Sequence, residues 1–151
     1  MRNLFHSFVY AFRGVVWTVK NERNMRIHLC FAFYVVLAAL ITRLSVTEWA
    51  AVLICIASVT ALECVNTSLE RLCDTLHPDK SEGIRHAKDI AAGGVLCAAA
   101  VSAAVGCIIF FREEKLENVW RFTENNPAAA AAVIITLIPL SLFVWGFRGR
   151  K

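Results

Sequence analysis

The stretch VTEWAAVLICIASVTALECVNTSLERLCD, residues 46–74, begins as a membrane span and ends as something else. From Val46 to Leu62 it is apolar enough for lipid; beyond that point Glu63, Asn66, Glu70 and Asp74 follow one another. Their spacings of three, four and four residues place them along one face of a continuous helix. Ser45-Val46-Thr47-Glu48 carries the capping-box pattern that starts such a helix, which can run to about Leu76. It therefore projects beyond the apolar layer, with three acids at the boundary.

Working outward, three more apolar runs appear, Ile27 to Ile41, Ile90 to Phe111 and Ala128 to Phe147. A spanning helix needs roughly 17–25 such residues. The chain is 58% hydrophobic over 151 residues, above the usual soluble share of about 45–50%. A soluble bundle would need polar outer faces, and Ala98 to Phe111 and Ala128 to Ile138 have almost none, so the expected fold is an all-α integral membrane protein. Ahead of the first span, Leu4, Phe5, Phe8, Phe12, Val15, Val16 and Val19 recur at helical spacing, which predicts an amphipathic helix lying on the membrane. Charges scattered through Met1 to Arg26 rule out a secretory h-region there.

The chain thus divides into a membrane core at 1–111, a connector at 112–126, and a further span with a basic tail at 127–151. Within the core, the surface helix covers about 1–24 and the spans about 27–42, 46–70 and 90–111. Pro78 breaks the chain after the second span, and the third helix starts near Ser81 or Glu82. Asn126-Pro127 reads as an N-cap with proline at the first helical position, and Pro139 is expected to kink the last span. Basic residues gather on one side, with only Arg43, Arg112, Lys115 and Arg121 on the other, so both termini are expected in the cytoplasm and the connector outside. Cys30, Cys55, Cys64, Cys73, Cys97 and Cys107 stand singly, without metal spacing, and read as small buried hydrophobes. No nucleic-acid partner is expected.

An acidic stripe at a membrane edge is costly to desolvate and implies a cation, a proton or a basic partner close by. Asn21-Glu22 before the first span and Lys88-Asp89 early in the third can reach the same depth. Phosphoryl transfer needs such a set: a divalent ion on phosphate oxygens, a cation against developing charge, and a carboxylate for a hydroxyl proton. Magnesium suits oxygen ligands. The nucleotide loops of better-known kinases are absent: there is no G-x-x-x-x-G-K-[ST], no Gly-rich kinase loop, no H-R-D and no D-F-G.

Three segments resemble one family in order and separation. Asn21-Glu22-Arg23-Asn24-Met25-Arg26-Ile27-His28 is similar to its N-E-x-N-x-R-x-H segment, and Glu63-Cys64-Val65-Asn66-Thr67-Ser68-Leu69-Glu70 resembles its E-x-x-N-[TS]-[AS]-[IL]-E signature. Ala87-Lys88-Asp89 opens a stretch similar to its A-K-D segment. The family is that of the prokaryotic membrane diacylglycerol and undecaprenol kinases, matched over roughly Phe8 to Phe111. The resemblance implies ATP- and magnesium-dependent phosphorylation of a membrane lipid alcohol in a bacterial cell membrane. It implies Glu63 as general base, Glu22 and Glu70 as metal ligands on ATP, and Lys88 and Asp89 as nucleotide contacts. Asn66 would orient groups around the phosphate with Asp74 in support, while Tyr10, Asp79, Lys80 and Ser81 would line the nucleotide pocket. Arg26 and His28 are further candidates for the lipid side, and Arg26-Ile27-His28 with the His77-Pro78 turn resembles the undecaprenol kinases of Gram-positive bacteria more than the diacylglycerol kinases of Gram-negative ones. A homotrimer with sites completed between subunits is implied as well, and Ala91-Ala92-Gly93-Gly94 permits close helix contact. The fourth span departs from the family's three-span pattern. From the residues alone, a small proton-coupled transporter remains open, although its key acid would belong near the midplane; so does an inactive membrane anchor.

Overall fold

The computed structural model describes residues 2–76 and 81–146. Asp79 and Lys80, expected at the nucleotide, and the basic tail past Gly146 lie outside them. The described residues form helices only: α1 Arg2–Asn21, α2 Arg23–Ile41, α3 Val46–Leu76, α4 Glu82–Phe110, α5 Glu113–Asn125, α6 Pro127–Ile135 and α7 Leu137–Gly146. Four units are long and apolar enough to cross a membrane: α2 with 19 residues, α3 with 31, α4 with 29, and α6–α7 together with 20. The protein is an all-α, multi-pass membrane protein.

α3 and α4 form the main hairpin, α2 packs on α3, and α7 packs on α2. α1 packs against α2 and α3. The apolar core is small: Ala39, Leu44, Val52 and Ile109, with Val35, Trp49, Ile56 and Phe110 around it. Large hydrophobics such as Phe31, Ile54, Leu96, Ile108 and Ile134 stay exposed along the spans. In lipid this carries no penalty, because the acyl chains are as apolar as the side chains, and helix association rests on packing and polar contacts instead.

Several boundaries differ from the sequence expectations, each for a local reason. α2 starts at Arg23, not 27, because Glu22 alone, extended at φ −104°, ψ 122°, separates it from α1. The connector is a helix, α5, with Glu113 and Glu114 favourably placed in its first turn. Asn126 does not cap α6; its amide donates back to the carbonyl of Phe122 at 3.4 Å, while Pro127 does occupy the helix start. The last span is interrupted at Thr136, one turn before Pro139, whose missing N–H and bulky ring disturb the preceding carbonyls.

At the far end of α2–α3, local bonding is complete. Ser45 N–H and Oγ donate to Glu48 at 2.8 and 2.9 Å, and Glu48 N–H returns to Ser45 Oγ at 3.3 Å, which realises the capping box. α2 ends in a Schellman turn: Leu44 N–H reaches Ala39 O at 3.2 Å and Arg43 N–H reaches Leu40 O at 3.4 Å. Arg43 holds the left-handed position at φ 54°, where glycine is usual. Lys115 of α5, 4% exposed, donates to Arg43 O and pairs with Glu48, both at 3.3 Å, and Arg112 pairs with Glu48 at 2.9 Å. α5 is thereby a lid fastened over the α2–α3 turn.

Candidate active site

The opposite end of α3 is built differently. Because α3 continues unbroken past the apolar run, Glu63, Asn66 and Glu70 emerge on one stripe. Glu63 is only 2% exposed and accepts no hydrogen bond among the described residues, while Asn66 is buried beside it. Asn66 Nδ2 donates to Glu70 Oε1 at 3.1 Å, and its Oδ1 is buried without a partner. A buried, orphaned acceptor costs free energy on the order of 1–3 kcal/mol, so an unmet oxygen of this kind points to a group that is supplied from outside.

Glu22 enters the cluster from the α1–α2 break. It lies close enough for its charge, with that of Glu70, to act on Glu63, so three carboxylates share one neighbourhood. Two cations flank them. Arg71 pairs with Glu22 at 3.3 Å and stacks over Trp17 of α1 at 4.8 Å, tying the surface helix to α3. Lys88 of α4 pairs with Asp74 and also feels the charge of Glu70. Glu22, Glu63, Glu70, Asn66, Asp74 and Lys88, drawn from two helices and one linker, are therefore gathered within a single chain.

The remaining candidates are distributed around this cluster. Ser81 is the N-cap of α4, accepting from Ile84 N–H at 3.4 Å, and Asp89 is exposed. Tyr10 stands exposed on α1, edge-on to His6. Arg26 is buried, with its guanidinium bonded to backbone carbonyls at Val19, Lys20 and Val144, which makes it a joint between helices. His28 lines an apolar groove of about 370 Å³ between α2, α3 and α4. Val59 and Thr60 lie in the same groove, one helical turn before Glu63, and Phe31, Val52 and Phe110 continue it along the span. The groove thus runs along the apolar layer and stops at Thr60, one helical turn short of the buried carboxylate.

Arg71 was the functional neighbour that spacing did not reveal. It follows Glu70 directly, off the acidic stripe, and its partners Glu22 and Trp17 are distant in sequence. Nothing periodic could have announced it.

Among the described residues no three His, Cys, Asp or Glu side chains form a ready metal cage. The donors available are Glu22, Glu70 and the free Asn66 oxygen, all hard oxygen ligands. That set fits magnesium, which is commonly held by one or two carboxylates together with substrate phosphates and water.

The family model described as prokaryotic diacylglycerol kinase matches residues 9–110. An undecaprenol kinase of Bacillus subtilis is 34% identical over 110 residues, 73% of this chain and 89% of the relative. A diacylglycerol kinase of Synechocystis is 38% identical over 109 residues, 71% of this chain and 62% of that protein. No solved structure matches.

Proposed function

The chain belongs to the prokaryotic diacylglycerol kinase family, and we propose that it moves the terminal phosphate of ATP onto a membrane lipid alcohol, undecaprenol foremost, at the cytoplasmic face. The observation that carries the reading is the buried Glu63, one helical turn beyond an apolar groove on one side and beside a cluster of acids, an unmet amide oxygen and a lysine on the other. A lipid tail in the groove would bring its hydroxyl to the carboxylate without leaving the membrane.

The chemistry follows from that placement. Glu63 accepts the hydroxyl proton as the lipid oxygen bonds to the γ-phosphorus, the bond from phosphorus to the β–γ bridging oxygen breaks, and ADP departs. Lys88 is placed to offset charge building on the transferred group, and Arg71, paired with Glu22, offsets part of the repulsion among the acids. Glu22 and Glu70 would hold the magnesium ion, whose role is to neutralise phosphate charge. Tyr10, Asp79, Lys80, Ser81 and Asp89 are the further nucleotide contacts in this reading, and Asn66 orients Glu70. The excess of basic residues on the Glu63 side supports a cytoplasmic site with both termini inside, and a homotrimer would cover part of the exposed apolar surface.

Undecaprenol is favoured by the match to the Bacillus enzyme across most of that protein's length. Diacylglycerol is the second reading, supported by the Synechocystis relative. A transport role fits less well, because the acids gather at one end of α3 and not at mid-span. The test supplies labelled ATP and magnesium with either lipid in micelles. Label should enter undecaprenol faster than diacylglycerol; the reverse preference selects the second reading, and labelling of neither lipid refutes the kinase.

A further inference from the structure

The fourth span lies outside the region that the family model matches, residues 9–110, yet its end reaches the site's own scaffold. Arg26 is the meeting point. One guanidinium nitrogen donates to Val19 O at 3.2 Å and Lys20 O at 3.0 Å, the open carbonyls at the end of α1. Another donates to Val144 O at 3.3 Å, at the end of α7. Helix C-termini carry unpaired carbonyls and partial negative charge, so a single buried cation satisfies both ends at once. Three more contacts hold the fourth span to α2: Arg23 stacks over Trp145 at 5.3 Å, the Cys30 thiol donates to Leu140 O at 3.8 Å, and the Tyr34 hydroxyl shares a 3.0 Å hydrogen bond with Thr136.

The position of this joint matters because one residue separates α1 from α2, and that residue is Glu22. Its N–H donates to Thr18 O at 2.8 Å and its carbonyl accepts Arg26 N–H at a long 3.5 Å. The direction of the Glu22 side chain is therefore set by how the end of α1 meets the start of α2, which is the junction that Arg26 bridges.

We propose that the fourth span is a positioning element for the active site: acting through Arg26, which clamps the carbonyl ends of α1 and α7 together, it holds the Glu22 carboxylate in register with Glu70. The inference rests on the reading of Glu22 as a ligand of the nucleotide-bound cation. Arg26 acts in this proposal as a positioning residue, through the helix ends that it joins. It also gives the fourth span a purpose that the three-span core lacks, because α7 supplies the third carbonyl that fixes the guanidinium.

The experiment measures initial rates of the full chain in micelles against magnesium–ATP and, separately, against lipid. Arg26→Gln should raise the KM for magnesium–ATP about tenfold, the scale of losing charged hydrogen bonds, while the lipid KM stays within about twofold. Arg26→Lys should recover part of that loss. In a Glu22→Gln background, Arg26→Gln should add less than about twofold, since the group it positions is already gone. The double variant Tyr34→Phe/Trp145→Ala loosens the fourth span without altering Arg26 and should raise the same KM about threefold, the scale of one stacking contact. If Glu22→Gln leaves the magnesium–ATP dependence unchanged, the assignment of Glu22 itself falls. If Glu22→Gln shifts it while the α7-loosening pair does not, only the role of the fourth span is overturned. Should Arg26→Gln fail to fold, Arg26→Lys and the loosening pair decide the matter by the same readout.

Discussion

The two ends of α3 treat their charges in opposite ways. At the Ser45 end, Glu48 is met by Ser45, Arg112 and Lys115, and the buried Lys115 finds a carboxylate and a carbonyl. At the Glu63 end, a buried carboxylate has no hydrogen bond among the described residues, an amide oxygen is orphaned, and like charges share one space. Satisfied charges hold a turn together. Unsatisfied ones are tolerated only where something else, a nucleotide and its cation in the proposed reading, completes them.

The comparison breaks first at Glu63. Glu63→Gln keeps the shape and removes the base, so lipid phosphorylation should fall by about 10²–10⁴-fold. The thermal midpoint should hold or rise, because a buried like-charge contact is relieved. A rate within about threefold of the parent in the labelled-ATP assay would remove Glu63 from its role, given the usual scale of general-base catalysis. A smaller effect is expected one stripe position further on. Glu70→Ala should shift the magnesium titration to higher concentration while leaving the lipid KM near its original value, because in the proposed reading Glu70 holds the nucleotide-bound cation. An unmoved titration curve would contradict its assignment.

Both ends of α3 were legible in sequence to the extent that they are local. The S-x-x-E capping box and the stripe from Glu63 to Asp74 are patterns within a few turns of one helix, and helical periodicity fixes them before any tertiary contact forms. What stayed hidden is what crosses between elements. The Arg71–Glu22 pair spans 49 positions and the Arg26–Val144 bond 118, and no spacing rule reaches so far. The connector is a different case, since Leu116, Val119, Trp120 and Thr123 do recur at helical spacing. Reading it as a solvated link overlooked that period, and the burial of a lysine on such a helix follows only from Glu48 arriving opposite it.

The smaller effects sharpen the comparison from the satisfied end. Lys115→Ala strips the lid of its buried cation and leaves Arg43 O and Glu48 short of a donor, so the thermal midpoint should drop by several degrees while the KM values of the remaining folded enzyme stay put. A fall in kcat at unchanged stability would mean that this end communicates with the chemistry. The least perturbing change is Arg43→Gly. The left-handed φ of 54° strains any residue with a Cβ by about 1–2 kcal/mol, and glycine returns about 0.5–1 kcal/mol of that through its freer unfolded chain. The net gain should be a few tenths to about 1 kcal/mol, seen as a slightly higher midpoint in thermal unfolding, provided the Schellman bonds from Leu44 and Arg43 are what hold the turn. A loss of stability instead would mean that the exposed Arg43 side chain, and not the backbone turn beneath it, is the group that matters at this end of α3.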